Sequence, residues 1–260
     1  MAKDMGKEDD YEFFINRSQF YKNVFDKETN AVRPKDSKGN FMTPFDPYEL
    51  AHADSEIGGH YTEGNARQYT WHVLHDITGM IDLMGGKEEA GVLLDSLFYT
   101  TKETTGDLAD VTGLIGQYAH GNEPSHHITY IYPYLNRPKE AQKLIRRIST
   151  EFYKAQPDGL IGNDDCGQMS AWLLFSSLGF YPLNPVSGEY VIGAPQIPAA
   201  TIPLPNGNTF TMKAKNLSVD NLYVDKIELN GKPYTEKTIS HDDIMNGADL
   251  VFYMTDNSEE

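Results

Sequence analysis

The feature that most constrains this chain is a change of pattern at Gly179. Before it, apolar residues recur at helical spacing between breaks that carry Gly, Pro or polar residues. After it, the runs are short, β-branched or aromatic, and separated by turn signals. Glu189-Tyr190-Val191-Ile192, Ala200-Thr201-Ile202, Thr209-Phe210-Thr211-Met212, Tyr223 to Ile227 and Leu250 to Tyr253 read as strands. Pro205-Asn206-Gly207-Asn208 and Leu229-Asn230-Gly231-Lys232 read as hairpin turns. The expected class is α+β: a helical domain over 1–179, then a small antiparallel β segment over 180–260. Helix pairs joined by short loops suggest a helical barrel or toroid.

Helices are expected over Asp9–Asp26, with Phe13, Phe14, Phe20, Tyr21, Val24 and Phe25 on one side, and from an Asn65 cap to Met84, stopped by Gly85-Gly86. Others span Glu88–Tyr99, Val111–Tyr118, Pro124–Leu135, Pro138–Tyr153 and Asp165–Leu178. Pro34, Pro44 and Pro47 make the stretch from Ala31 to Tyr48 a long loop, either functional or packed on a partner.

Composition removes several function classes. A net charge of -16 disfavours nucleic acid, which needs a basic face, and anionic membrane surfaces. It suits a neutral or cationic ligand. No run of 18 apolar residues is present, so no membrane span is expected, and Met1–Asp10 lacks the apolar core of a signal peptide. The single Cys166 permits no internal disulfide.

Three loop-to-helix junctions hold the unusual residues: Tyr61 to Trp71 with Glu63, Gln117 to His127 with Asn122-Glu123, and Gly162 to Trp172 with Asp164-Asp165. In a toroid such junctions gather at one end, where carboxylates among aromatic rings describe a sugar pocket. A carboxylate at a helix start tends to stay ionised, as a general base or cation site requires. Plainer readings stand beside these. One aspartate can be only an N-cap, although a cap needs only one. Glu63 can serve only to charge a first turn, and Asn122-Glu123 can be an ordinary junction. His126-His127 point about 100° apart on a helix, one packed and one exposed. His72, His75 and Asp76 can pack or bind a partner helix, Tyr130, Tyr132 and Tyr134 read as packing, and Cys166 as a small buried residue beside the site. Zinc is disfavoured by the lone cysteine and by the lack of a His-x3-His pair with a third ligand, whereas abundant oxygen donors suit Ca²⁺.

His-Gly-Asn-Glu-Pro-Ser-His-His (120–127), Gly-Asn-Asp-Asp-Cys-Gly-Gln-Met-Ser-Ala-Trp (162–172), Glu-Gly-Asn-Ala-x-Gln-Tyr (63–69) and Leu-Met-Gly-Gly (83–86) resemble the glycoside hydrolase family 92 α-mannosidases. The similarity extends through Arg17-Ser18, Arg33-Pro34, Phe45-Asp46-Pro47, Gly179 to Pro182 and Gly188 to Gly193. The resemblance implies Ca²⁺-dependent, inverting exo-hydrolysis of α-mannosides, with α-1,2 linkages of N-glycan or mannan type expected. It implies an N-terminal β-sandwich domain, absent from this chain, joined to an (α/α)6 toroid of which only the second half and the β tail are matched. Met1 then reads as an internal methionine. Export to a bacterial periplasm, cell surface or medium is implied, with the signal in the missing part.

On the same basis Glu63 corresponds to the general acid and Asp165 to the base, with Asp164 as second candidate. Asn122, Glu123 and Gln117 correspond to positions at the Ca²⁺. His126, Gln168, Arg33 and Asp107 fall on the substrate side, and the loop from Thr104 to Asp110, which departs most from the pattern, would set leaving-group specificity. Inversion predicts carboxyl groups roughly 6.5–9.5 Å apart. Glu63 must hold a proton although a helix start favours its anion, so desolvation by Tyr61, Tyr69 or Trp71 is expected to prevail. The alternative is a catalytically incomplete piece that keeps a Ca²⁺ and sugar site.

Overall fold

The computed structural model describes residues 1–50, 59–106, 108 and 111–259. Helix α1 (Glu8–Ser18) leads through a 3-10 turn at Phe20–Asn23 into a short ladder of β1 (Phe25–Asp26) and β2 (Ala31–Val32). A single helical turn, α2 (Ala66–Tyr69), precedes α3 (Ile77–Leu83) and α4 (Lys87–Tyr99). A tight hairpin of β3 (Leu114–Ile115) and β4 (Tyr118–Ala119) follows, then 3-10 segments at Glu123–Ser125 and Ile128–Leu135, α5 (Pro138–Glu151) and α6 (Gln168–Leu178). Beyond Gly179 come β5 (Phe180–Tyr181), β6 (Glu189–Ile192), β7 (Ala199–Pro203), β8 (Thr209–Lys215), β9 (Tyr223–Leu229), β10 (Lys232–Tyr234), β11 (Thr238–Ser240), α7 (His241–Met245) and β12 (Asp249–Thr255).

Helix α5 shows why these elements form. Pro138 opens it where no N–H is needed, and Ala141, Leu144, Ile145 and Ile148 make one buried stripe. The opposite side carries ion pairs such as Arg147–Glu151. That stripe packs into a cluster with Trp71, Leu94, Leu97, Tyr118, Tyr130, Tyr132 and Trp172. A second cluster is built from Phe210, Met212, Leu250 and Phe252 of the larger sheet, with Leu178 and Phe180. Phe175 packs against both.

The five-stranded sheet runs β10-β9-β12-β8-β7, and β11-β6-β5 form a smaller one. The segment is not wholly antiparallel as expected, because β12 pairs parallel with β8 while pairing antiparallel with β9. Both expected hairpins are present, joining β7 to β8 and β9 to β10.

Several expected helices break. The Asn65-capped helix lasts one turn, since Thr70 returns its hydroxyl to the Ala66 carbonyl and accepts from Val32 N–H. Asp76 then caps a new start at α3 through Gly79 N–H. The stretch Val111–Tyr118 holds a hairpin instead of a helix: Gln117 N–H bonds Leu97 O, and its carbonyl accepts from Gln68, so tertiary bonds take the backbone. The helix expected from Pro124 is two 3-10 segments, with Pro133 inside the second. Helix α1 buries none of its residues, and Phe13 and Phe14 are 58% and 56% exposed.

Candidate functional site

The acid-bearing junctions converge on one polar cavity of about 410 Å³, lined by Glu63, Thr112, Gly121, Asn122, Glu123, Gly162, Asn163 and Asp165. A larger cavity of about 690 Å³ lies between α5 and the β9–β10 hairpin and contains none of the candidate site residues.

Three of the four stretches that line the small cavity press together. Gly121 N–H bonds Thr112 O at 3.0 Å, and a Cβ on Gly121 would lie only 2.0 Å from Thr112 Oγ1. Gly162 is pressed against the same pair, its imaginary Cβ 3.3 Å from Gly121 Cα. Only residues without a side chain allow the loop of Glu123 and the loop of Asp165 to approach this closely.

Glu63 does not sit in a helical first turn. It lies two residues before the Asn65 cap, in the left-handed region at φ 56°, and the first turn of α2 carries no acid. The expected conflict with a helix dipole is therefore weaker than the sequence suggests, because the dipole acts within the first turn. Asn122 Nδ2 donates to Glu63 O at 2.6 Å and ties the first junction to the second.

Asp165 is likewise displaced from its expected place. Helix α6 starts at Gln168, because Asp165, Cys166 and Gly167 are all left-handed, at φ 47°, 57° and 92°. Asp164 bends back over this turn, its Oδ1 accepting from Ser170 N–H and Ser170 Oγ, both at 2.9 Å. It thus serves the start of α6, whereas Asp165 faces the cavity. Cys166 is exposed rather than buried, since the same turn swings it outward.

Glu123 lies against Asp165. Burial raises its carboxyl above the usual range, and the hydrogen bond and charge of Asp165 and the charge of Glu63 push the same way. The cavity therefore gathers three carboxyl groups, Glu63 and Glu123 half-buried in its wall and Asp165 exposed at its edge.

Behind it stands a dry histidine layer. His126 Nε2–H donates to His120 O at 2.9 Å, its Nδ1 accepts from Gln168 Nε2 at 3.2 Å, and Trp172 Nε1 donates to His126 O. Burial lowers His126 to about 4 and His127 to about 3, so both are neutral near pH 7. His127 Nε2–H donates to Trp71 O at 2.7 Å, and both histidines are buried, not one packed and one exposed. His120 bridges the hydroxyls of Tyr118 and Tyr153, each at 2.7 Å.

Besides Asp164, His126 and Gln168, two further candidates stand away from the cavity lining. Gln117 is fully buried, its Oε1 accepting from Asn65 and its Nε2 donating to Lys102 O. Arg33 pairs with Asp26 at 2.9 Å, donates twice to Met42 O and lies over the Phe41 and Phe45 rings. Asp107 lies outside the described residues. Thr112 and Asn163 belong to the lining and were not singled out by sequence. Thr112 has no local signature, while Asn163 is legible only as part of the turn before the aspartates. Among the described residues no three His, Cys, Asp or Glu side chains form a closed metal cluster.

Residues 1–256 match the family model described as the glycosyl hydrolase family 92 catalytic domain. A family 92 α-mannosidase from Bacteroides thetaiotaomicron, solved with mannoimidazole, is 46% identical, with a TM-score of 0.91 over 98% of this chain and 34% of that one. A family 92 inverting mannosidase from the same organism is 34% identical, with a TM-score of 0.85 over 98% and 35%. An uncharacterised secreted glycosidase of Arthroderma benhamiae is 28% identical over 96% of this chain and 33% of its own length. The chain thus spans about a third of the length of these relatives. By its motifs, its fold and the match across residues 1–256, this chain belongs to glycoside hydrolase family 92.

Proposed function

We propose that this chain carries the acid–base machinery of an inverting exo-α-mannosidase, with Glu63 as general acid and Asp165 as general base. The observation that carries the reading is the convergence of Glu63, Glu123 and Asp165 on one polar cavity, while Asp164 is turned away to Ser170. Asp165 takes a proton from water, whose oxygen attacks the anomeric carbon. The glycosidic C–O bond breaks, and Glu63 gives its proton to the departing oxygen on the other face. The helices, in this reading, are part of an (α/α)6 toroid completed by residues outside this chain. Substrates are α-mannosides of glycans, and the enzyme works outside the cytoplasm.

The cavity suits Ca²⁺ by its donor chemistry. Its polar side chains are carboxylate, amide and hydroxyl groups, and the crowding that raises Glu123 is the kind a cation relieves. Glu123 and Asn122 would hold the ion, with Gln117 supporting from behind through Asn65. Bound there, Ca²⁺ would polarise and orient sugar hydroxyls. The histidines supply no such donors, because His120, His126 and His127 are engaged by buried partners.

The experiment is mannose release from α-1,2-mannobiose, with Ca²⁺ and then with a chelator, and the product anomer followed by NMR. Chelator-sensitive release of β-mannose supports the reading, and release of the α-anomer overturns it. The exposed aromatic face of α1 and the one-third coverage of relatives favour a second reading, a piece whose pocket is completed by other residues. Folded protein that releases nothing alone, but does so as part of the full-length enzyme, selects it.

A further inference from the structure

Glu63 occupies a backbone region that disfavours any side chain other than hydrogen, so something must hold it there. One hold is the bond from Asn122 Nδ2 to the Glu63 carbonyl. Another comes from Tyr69, the last residue of α2. Its hydroxyl donates to the Thr62 carbonyl, on the peptide immediately before Glu63. Its ring covers Gly64, where a Cβ would come within 2.9 Å of the ring. Tyr69 therefore wraps the turn Thr62-Glu63-Gly64 from outside while Asn122 grips it from within. Tyr61 backs the ring at 5.7 Å and is itself anchored to Val32 O at 2.8 Å. Burial first, and then the charges of Glu63 and Glu123, raise the Tyr69 hydroxyl above its usual range.

We propose that Tyr69 is a positioning residue: its hydroxyl clamps the Thr62 carbonyl and its ring caps Gly64, holding the Glu63 carboxyl in line with the departing oxygen. The inference rests on Glu63 being the general acid, and it makes a claim that general packing does not. A displaced acid matters only when the leaving group needs a proton. Alkoxide-type leaving groups, such as the second sugar of a mannobiose, need one, whereas 2,4-dinitrophenolate departs without it.

The test compares Tyr69→Phe with wild type on α-1,2-mannobiose and on 2,4-dinitrophenyl α-mannoside, in the enzyme form that releases mannose. Y69F is expected to lower kcat on mannobiose about 10-fold, a fraction of the full general-acid contribution, with KM little changed and kcat on the aryl mannoside lowered less than about 2-fold. Glu63→Gln is the reference and must show the same bias more strongly. If E63Q shows none, the assignment of the acid fails, and with it this inference. If E63Q is biased but Y69F slows both substrates equally, or neither, Tyr69 is only packing and the proposal is overturned. Tyr61→Phe removes a neighbouring hydroxyl that does not touch the Glu63 turn and should carry no bias. Should Y69F not fold, Gly64→Ala, whose Cβ meets the same ring at 2.9 Å as well as Gln68 Oε1 at 2.7 Å, displaces the ring from beneath and must reproduce the bias.

Discussion

The β unit and the acid-bearing end solve the same problem, reversing the chain tightly, with different residues. In the β unit the left-handed positions fall on glycine or asparagine, as at Gly207, Asn216, Asn230 and Gly231, residues suited to them. At the acid-bearing end they fall not only on glycines such as Gly167 but also on Glu63 and Cys166, which are not suited to them, and on Asp165, which tolerates them. Left-handed backbone at an ordinary residue costs about 1–3 kcal/mol and persists only where surroundings over-determine it. The difference teaches where this chain keeps its strain: at Glu63 and in the Asp165-Cys166 turn, held by Asn122, by the Asp164–Ser170 bonds and by the glycine-lined wall.

That contrast can be broken by separating activity from stability. The largest expected effect is in rate. Asp165→Asn should lower mannobiose hydrolysis by about 10²–10⁴-fold with an unfolding temperature within a few degrees of wild type. An active D165N would remove the reason for the strained turn. In the β unit the balance should invert. Phe252→Ala, which empties a fully buried ring site, should destabilise by about 3–5 kcal/mol by denaturant titration and leave kcat at low temperature unchanged. Loss of activity before unfolding would show the two regions to be one cooperative site.

A pH effect of similar origin should follow from the histidine layer. Burial holds His127 near 3 and His126 near 4, while both would titrate near 6.5 in the unfolded chain. Between those values the unfolded state binds more protons, so their contribution is complete above about pH 6.5 and is lost as pH falls towards 4 and below. At about 1.4 kcal/mol per pKa unit, His126 alone stands to remove on the order of 3 kcal/mol. Unfolding temperatures measured from pH 7 to 4 should drop steeply, and a flat profile would refute the neutral assignment. The smallest effect is expected at Asp164. Removing its bonds to Ser170 by Asp164→Ala should cost about 1 kcal/mol with activity largely retained. A loss of activity equal to that of D165N would return Asp164 to the chemistry.

Much of the β unit was legible because its rules are local. Asn-Gly pairs and β-branched runs give β7, β8, β9 and β12 within a few residues. The parallel partnership of β12 with β8 was not legible, since register with a distant strand leaves no local trace. The helical part was legible where caps and stripes act alone, as in α4 and α5. It failed where tertiary bonds compete for the backbone, as at Thr70 and Gln117. Within the site, the motif-bearing Glu63, Asn122, Glu123 and Asp165 meet as the three junctions suggested. Arg33 and Gln117 are tied down elsewhere for reasons no spacing reveals, and Thr112 became part of the wall only through two glycines distant in sequence.

The strand order of the larger sheet carries a consequence for how the protein is made. Its middle strand, β12, is the last of the five to leave the ribosome, and until residues 249–255 emerge β8 and β9 have no common neighbour. Two bare strand edges then await one late segment, and in that interval they invite pairing with other nascent chains. A stop codon or proteolytic cut shortly before Asp249 would therefore not trim the sheet but divide it, leaving β8 with β7 on one side and β9 with β10 on the other.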